Sequence, residues 1–327
     1  MKIRSAIALV SLAGVAWAVV PTAPASADLV TVTRCVGTGG AVTVPGDLVV
    51  PKGKSCFLDR TTVDGRVTVG AGADLLVTNG TLKGKVVIEQ NGYFETIGSS
   101  VAGRITSRGG YGVYLDSSTA AAGYSGTAPS DNSVEPFVLF DGSQVTKSVN
   151  VASGEVYVRD SSVKGAVSGT GTQYLDIINS AISGKLTVSG NPDGSQVCAS
   201  EIYGDTSYTG NGSIQLGAGN VIGSCDQVNY WGGNVTISNN TGGVQVSGNI
   251  VRGDVSGAGN DPPPTGSHNR VRGTVSGQFV DLQPTPAAQA QARTAAPAPS
   301  PRQTKARARQ RRAAAVQKAT AAGDANV

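Results

Sequence analysis

Two aspartates, Asp116 and Asp141, could provide the paired carboxyl groups that glycoside hydrolysis requires. They flank residues 117–136, which are rich in Ala, Ser, Gly and Pro and are predicted to form a loop. A glycosidase places its two carboxyl groups about 5–9 Å apart, with one as acid and the other as base or nucleophile. The strands on either side of the loop could bring these two side chains face to face. The alternative is that both aspartates cap turns, which is the commoner role of Asp in such surroundings.

An aromatic pair, Tyr230 and Trp231, could bind carbohydrate, because exposed aromatic rings can stack on sugar rings. The alternative is that the pair covers a break in the repeat described below. The single histidine, His268, follows a Pro-rich turn and has no partner serine or cysteine motif. It is therefore interpreted as a loop residue.

The four cysteines, Cys35, Cys56, Cys198 and Cys225, are predicted to form disulfides. Three pairings are open, and proximity favours Cys35–Cys56 and Cys198–Cys225, each of which would join positions about one repeat apart. A zinc site would need closely spaced cysteines and additional histidine ligands, which this sequence lacks. We therefore expect neither a bound metal nor a cofactor.

A short phrase recurs along the chain: an apolar residue, any residue, then a glycine. A period near 20 residues in a glycine-rich chain indicates a β-solenoid, in which stacked coils share one core. We therefore predict an all-β, parallel β-helix over residues 61–282. The glycines of the phrase are Gly65, Gly84, Gly103, Gly165, Gly184, Gly204, Gly223, Gly233, Gly253 and Gly273, mostly 19 or 20 residues apart.

Alternation along each strand predicts which side chains fill this core, because successive residues point to opposite faces. Asn220, Asn249 and Asn269 each precede a phrase and could form a ladder of stacked amides, or could be ordinary turn residues. The side chains predicted to point inward include Val67, Val69, Val86, Ile88, Leu186 and Val188.

The N-terminus resembles a secretory signal peptide over residues 1–27. Lys2 and Arg4 precede an apolar run, and Ala25-Ser26-Ala27 is a small-residue cleavage site. Residues 28–60 are then predicted to be an N-terminal capping segment. Because no second long apolar run follows, we expect an exported chain with no membrane span after cleavage.

Composition changes abruptly at residue 283, and residues 283–327 are predicted to be a disordered tail rich in Ala, Pro and Arg. By count the tail carries a net charge of +7, whereas residues 28–282 carry −5. Such a basic arm binds polyanions by counterion release. For an exported protein the expected partners are anionic cell-wall polymers or a polysaccharide, and not nucleic acid. The predicted polyanion-binding residues are Arg302, Lys305, Arg307, Arg309, Arg311, Arg312 and Lys318.

Two stretches near the end of the repeats resemble those of a known group of proteins. The stretches are GVQVSGNIVRGDVSGAGNDPPPTG from Gly243 and HNRVRGTVSGQ from His268. They are similar to the closing repeats of secreted actinobacterial β-helix proteins of unassigned function. Those proteins often carry cysteines where this chain has Ser256 and Phe279, so no disulfide is expected there. The resemblance implies a right-handed parallel β-helix and supplies no functional residues. More loosely, the coils are similar to those of pectate-lyase-like enzymes and of polymer-forming β-helical scaffolds.

These observations favour an exported, non-catalytic β-helix that acts as a scaffold or adhesive module at the cell envelope or in the extracellular space. The alternative is a polysaccharide-active enzyme, either a lyase or a hydrolase, or a carbohydrate-binding protein. No catalytic constellation other than the Asp116 and Asp141 pair is predicted.

Overall fold

The computed structural model describes residues 31–130, 135–285 and 301–327. Within them, short strands form three parallel sheets of 12, 11 and 12 strands, here called sheets A, B and C. Each coil contributes one strand to each sheet in the order A, B, C, which gives a solenoid of about 12 turns. The prediction of an all-β parallel β-solenoid is therefore confirmed. The predicted signal peptide, residues 1–27, lies outside the described residues.

The strands of the three sheets are short and evenly spaced. Sheet A contains Val32–Arg34, Asp47–Val50, Val67–Val69, Val86–Ile88, Ile105–Arg108, Tyr124–Thr127, Val149–Val151, Val167–Thr170, Leu186–Ser189, Thr206–Thr209, Val235–Ser238 and Val255–Ser256. Sheet B contains Gly37–Gly39, Ser55–Asp59, Asp74–Thr78, Tyr93–Ile97, Gly112–Asp116, Phe137–Asp141, Glu155–Arg159, Tyr174–Ile178, Ser195–Cys198, Ile214–Gly217 and Val244–Ser247. Sheet C contains Thr43–Val44, Thr62–Val63, Thr81–Leu82, Ser100–Val101, Thr119–Ala120, Gln144–Val145, Ser162–Val163, Ala181–Ile182, Glu201–Ile202, Asn229–Trp231, Asn249–Val251 and Arg270–Val271.

The recurring glycine lies at the corner between sheets C and A, where successive coils come into close contact. Gly223 is the exception among the predicted phrase glycines, because it lies in the longer connection between the strands Ile214–Gly217 and Asn229–Trp231. A Cβ atom on Gly84 would lie 2.1 Å from the carbonyl oxygen of Gly65 in the coil below. A side chain does not fit at that distance, which explains why glycine recurs here in most coils. Two coils differ and carry Ala122 and Lys147 at the equivalent position. The corner between sheets B and C instead uses one residue with positive φ, such as Asn79 at 53° or Asn179 at 48°. Asn, Asp and Gly tolerate that conformation best.

The interior of the solenoid is one continuous apolar core. The six side chains predicted to point inward are fully buried, and equivalent residues such as Val67 and Val86 are direct partners in neighbouring strands. This assignment is confirmed.

A polar ladder runs through the corner that follows sheet B. In most steps a backbone N–H of one coil donates to the side-chain oxygen of the next, as from Ser99 to Ser118 at 3.1 Å. In the step from Asn229 to Asn249 the donor is the side-chain amide. Asn249 and Asn269 belong to this ladder as predicted, whereas Asn220 is exposed and lies outside it. The members are Ser99, Ser118, Ser143, Ser161, Ser180, Ser200, Asn229, Asn249 and Asn269.

Residues 117–136 are more regular than predicted. They contain Thr119–Ala120 of sheet C and Tyr124–Thr127 of sheet A, so the extra loop is confined to the residues that follow Thr127. Residues 131–134 of that loop lie outside the described part. The repeat was hard to recognise here because Tyr124, which is buried, fills core space left free by Gly126.

Both favoured cysteine pairs are confirmed. Cys35–Cys56 joins consecutive coils inside the core, with a Cα–Cα distance of 5.6 Å. Cys198–Cys225, with a Cα–Cα distance of 5.9 Å, fastens the longer coil in which the predicted second break occurs. That break is closed by an antiparallel bridge between Gly219 and Cys225.

Two segments outside the predicted solenoid differ from expectation. The described part of residues 28–60 already forms coils, because Val32–Arg34 pairs with Asp47–Val50 in sheet A. Residues 283–285 extend the last coil through a bridge between Thr265 and Gln283. Residues 286–300 lie outside the described part, but Pro301–Ala322 is a helix, here called α1. The expected disorder is therefore wrong for this segment, and the contacts of α1 described below give the reason.

Replacing Val188 with Asp tests the assignment of the inward face. Val188 is fully buried and its neighbour Thr187 is exposed on the same strand. We expect Val188→Asp to lower the free energy of unfolding by several kcal/mol, because an unpaired carboxylate enters the stack. Thr187→Asp is the matched control and should change stability by less than about 1 kcal/mol. Chemical denaturation of the two variants measures both effects, and equal stability would show that the inward face is misassigned.

Candidate functional site

The outer face of sheet B concentrates the carboxylates and aromatic rings of the solenoid. We call the outward side chains of its strands between residues 74 and 176 the acidic face. On each strand the first and third residues point outward, so that Tyr93 and Glu95 lie side by side. The face includes the carboxylates Asp74, Glu95, Asp141, Glu155 and Asp176 and the rings Tyr93, Tyr114, Phe137, Tyr157 and Tyr174.

Helix α1 lies across this face and pairs its cations with the carboxylates. Arg311 Nε lies 2.6 Å from Asp74 Oδ1, and Arg307 Nη2 lies 2.5 Å from Glu155 Oε2. Arg312 pairs with Glu95, and Lys305 pairs with Asp141. Beneath the helix the side chains of Asp74, Glu95 and Glu155 are at most 3 % exposed.

Buried carboxylates of this kind are stable only when paired, because an isolated buried charge costs several kcal/mol. The buried carboxylates of the acidic face therefore need the cations of α1, and removing one member of a pair is destabilising.

The apolar part of the contact is small. Ala308 and Ala315 pack in a second buried cluster, separate from the solenoid core, with five residues of sheet B. Two arginines also lie over rings: Arg307 is 5.5 Å from the centre of Phe137, and Arg311 is 4.9 Å from the centre of Tyr111. The five sheet residues of the cluster are Leu76, Tyr93, Tyr114, Phe137 and Leu139.

Hydrogen bonds complete the helix contact at its N-terminal end. Thr304 bonds to the carboxylate of Glu155, and its Oγ1 lies 2.7 Å from the hydroxyl of Tyr174. The other end of α1 leads to the first strand of sheet B. There Thr38 donates from its N–H to the carbonyl of Gly323, and Ala325 donates to the carbonyl of Thr38. The last residues of the chain therefore cover the N-terminal edge of sheet B.

Burial and pairing shift the pKa values of the acidic face in opposite directions. Burial raises the pKa of Glu95, against the opposing effects of the Tyr93 hydroxyl and Arg312. Burial also acts to raise the pKa of Asp141, but hydrogen bonds and charges from Lys305 and Arg159 lower it overall. Burial raises the pKa of Tyr157 to about 12. At neutral pH Asp141 is thus a firmly ionised partner of two cations.

The predicted pair of carboxylates does come together. Asp116 and Asp141 are direct partners on neighbouring strands of sheet B. Their surroundings do not suit an acid and a base, because Asp141 is bound by Arg159 and Lys305. Asp116 accepts hydrogen bonds from Tyr114 and Ser117. A catalytic role for this pair stays a prediction that these contacts disfavour.

The seven predicted polyanion-binding residues fall into two groups. Lys305, Arg307, Arg311 and Arg312 are engaged with the acidic face. Arg309 and Lys318 are exposed, and the side chain of Arg302 lies outside the described part. Among the described side chains of the seven, Arg309 and Lys318 are the ones open to an external polyanion while α1 is docked.

The predicted aromatic pair is split by the structure. Trp231 is buried and donates from Nε1 to Asn249 at 3.0 Å, so it covers the break in the repeat and is not available for stacking. Tyr230 is half-buried, and its ring centre lies 5.7 Å from that of Tyr203, which is 49 % exposed. Tyr203 also donates to the carboxylate of Glu201. The open aromatic pair is therefore Tyr203 and Tyr230.

A shallow polar groove of about 510 Å³ leads toward this aromatic pair along the corner between sheets B and C. Serines of the polar ladder line it, together with positive-φ residues such as Asp160 and Asn179, and Glu201 marks one end. Glu201 and Tyr230 are direct partners on neighbouring strands. Hydroxyls, amides and a carboxylate beside two rings are groups that bind sugars.

Sequence reasoning missed the acidic face, helix α1 and Tyr203. The alternation of the sheet B strands could have revealed the face, because acids and aromatics share their outward positions. The helix could have been recognised from residues 302–322, which lack Gly and Pro and are mostly Ala, Arg, Lys and Gln.

Comparison with protein family models, curated proteins and solved structures finds no match for this chain. The parallel β-helix implied by the resemblance to actinobacterial β-helix proteins is confirmed, whereas its right-handed sense and the family itself stay predictions. No helix in the described ranges is long and apolar enough to span a membrane. Within the same ranges, no three His, Cys, Asp or Glu residues are grouped so that they could hold a metal ion.

Removing one cation tests whether charge pairing holds α1 in place. We expect Arg312→Gln to undock the helix partly, because it leaves the buried carboxylate of Glu95 without its cation. The expected change is an increase of about tenfold or more in amide exchange within α1, which corresponds to about 1.4 kcal/mol. Arg309→Gln removes the same charge from an exposed position and should leave exchange unchanged. Identical exchange in both variants would contradict the role assigned to the ion pairs.

Proposed function

We propose that this protein is an exported, non-catalytic β-helix that serves as a scaffold and binding module at the cell envelope or in the extracellular space. The observation that carries the proposal is the occupied acidic face. A β-helix enzyme needs carboxylates that a substrate can reach. Here Asp74, Glu95 and Glu155 are covered by the chain's own helix, and Asp141 is paired with two cations.

Export is supported by the predicted signal peptide and by two disulfides, which persist in oxidising compartments. A disulfide-fastened solenoid whose first sheet B strand is covered suits an extracellular role, because exposed sheet edges promote aggregation.

Carbohydrate is the ligand class that the open surfaces fit best. Tyr203 and Tyr230 offer two adjacent rings at the end of a groove lined by hydroxyls. The repeat places similar polar groups about 4.8 Å apart from coil to coil, so that an extended glycan lying along the corner would meet them repeatedly. Stacking on the two rings would fix one end of such a chain.

Aromatic substitutions test the carbohydrate proposal. We expect Tyr203→Ala with Tyr230→Ala to weaken binding of the mature chain to soluble cell-wall polysaccharide about tenfold or more, because ring stacking contributes about 1 kcal/mol per ring. Tyr203→Phe with Tyr230→Phe keeps both rings and should retain most of the affinity. Isothermal titration calorimetry on both variants measures the difference. Equal affinities for the Ala and Phe variants would remove these rings from the binding site.

Attachment to anionic wall polymers is a second proposal, and Arg309 and Lys318 support it because both are exposed on the outward side of α1. Contacts between cations and polyanions weaken as salt rises, since bound counterions are released on binding.

Retention on isolated walls tests this attachment. We expect Arg309→Gln with Lys318→Gln to lower retention at low salt by about two- to fivefold, and wild type and variant to converge at high salt. A chain ending at Leu282 should lose the same salt-sensitive component. If retention depends on neither the salt concentration nor the two substitutions, α1 does not attach the protein to the wall. Its role would then be limited to contacts within the molecule.

A further inference from the structure

The contact between α1 and the acidic face combines ion pairs with packing of small helix side chains against the rings and leucines of sheet B. Four ion pairs join the helix to the sheet, and each links residues at least 150 positions apart in sequence. The apolar contribution comes from small side chains, chiefly Ala308 and Ala315. A surface that accepts a basic, alanine-rich helix by charge and shape would accept the same helix from another molecule equally well.

The connection between solenoid and helix is longer than its course requires. Thr285 contacts Thr265 in the last coils, and Thr304 contacts Tyr174. Thr285 and Tyr174 are about five coils apart along sheet B, which corresponds to about 24 Å. The 15 residues of the connection could span about 50 Å when extended. The connection therefore leaves enough length for the helix to reach a neighbouring solenoid.

We propose that the acidic face of one molecule accepts α1 of a second copy, so that two molecules exchange helices reciprocally. In the exchanged dimer Arg311 and Arg312 of each copy pair with Asp74 and Glu95 of the other. Asp324 and Ala325 likewise cover the partner's first strand of sheet B. The proposal extends the scaffold role described above, and sugar binding at Tyr203 and Tyr230 does not depend on it.

Protein concentration decides the balance between the monomer and the exchanged dimer. Two monomers and one exchanged dimer contain the same helix contacts, so the difference lies in the entropy of association. Covalent connection holds the helix near its own face at an effective concentration of about millimolar. Exchange is therefore favoured where molecules fold or accumulate at high local density, as on a surface.

Charge reversal in full-length chains tests the exchange. One variant carries Asp74→Lys with Glu95→Lys, and the other carries Arg311→Glu with Arg312→Glu. Each variant alone opposes like charges within its own molecule. After mixing, reciprocal exchange restores opposite charges at both interfaces. We expect light scattering to show monomers for each variant alone and a heterodimer for the mixture at low salt.

The chain that combines all four substitutions is the matched control. Its charges are complementary within one molecule, so it should be monomeric. Its far-ultraviolet circular dichroism should match the β-rich spectrum of wild type. A mixture that stays monomeric while the control folds would overturn the proposal. Dimers of either variant alone would also overturn it, since association would then use another surface.

Wild-type chains supply a test that does not depend on the folding of the variants. Two wild-type preparations with tags of different size are refolded together over a range of concentrations. We expect a dimer containing both tags, in a fraction that rises with concentration. The absence of mixed dimers at every concentration would overturn the exchange. Calorimetry of glycan binding on the same samples would still report separately on the carbohydrate proposal.

Discussion

Each coil of this protein depends on its neighbours for backbone hydrogen bonds. In all three sheets the N–H and C=O groups of a strand pair with the coils on either side, and the strand alone has no partners within its own coil. This constraint explains the glycine at most C-to-A corners, since a side chain there would hold the coils apart. It explains the ladder of serine and asparagine, which satisfies buried N–H groups at the B-to-C corner. It also makes the first and last coils special, because each has a sheet edge that no further coil covers.

The acidic face and the basic helix are two halves of one electrostatic arrangement. Asp74, Glu95 and Glu155 lie among aromatic rings, where the helix excludes water from them. Such carboxylates require cations at short range, and α1 presents arginines at the matching spacing along its length. The arrangement gives the C-terminal segment an intramolecular role that its composition alone does not suggest. It also accounts for the uneven charge of the chain, with a mildly acidic solenoid and a strongly basic tail.

The period of the glycine phrase made the solenoid predictable, because each coil repeats the same local requirements. Val188 and its equivalents could be assigned to the core by alternation alone, and the cysteine pairs followed from the length of one coil. The docked helix could not be placed in the same way. Its buried positions in the described part carry only Thr304, Ala308, Ala315 and Ala319, so no stripe of large apolar side chains marks them. The groups that bind the helix also lie far away in sequence. The two alternatives for Trp231 could not be decided from sequence for a related reason, since burial at a break in the repeat depends on how the longer coil closes.

Helix α1 changes how the solenoid can come apart. A stack in which each repeat touches only its neighbours can lose coils one at a time from an end. Here one rigid rod contacts strands from Gly37–Gly39 to Tyr174–Ile178 and pairs again with Thr38 at its far end. Fraying of the first coils must therefore break contacts that are shared with coils far along the stack. The rod acts as a longitudinal brace, and the N-terminal two thirds of the solenoid become one cooperative unit in which local opening is suppressed, while the coils beyond the brace retain the independence of an ordinary repeat array.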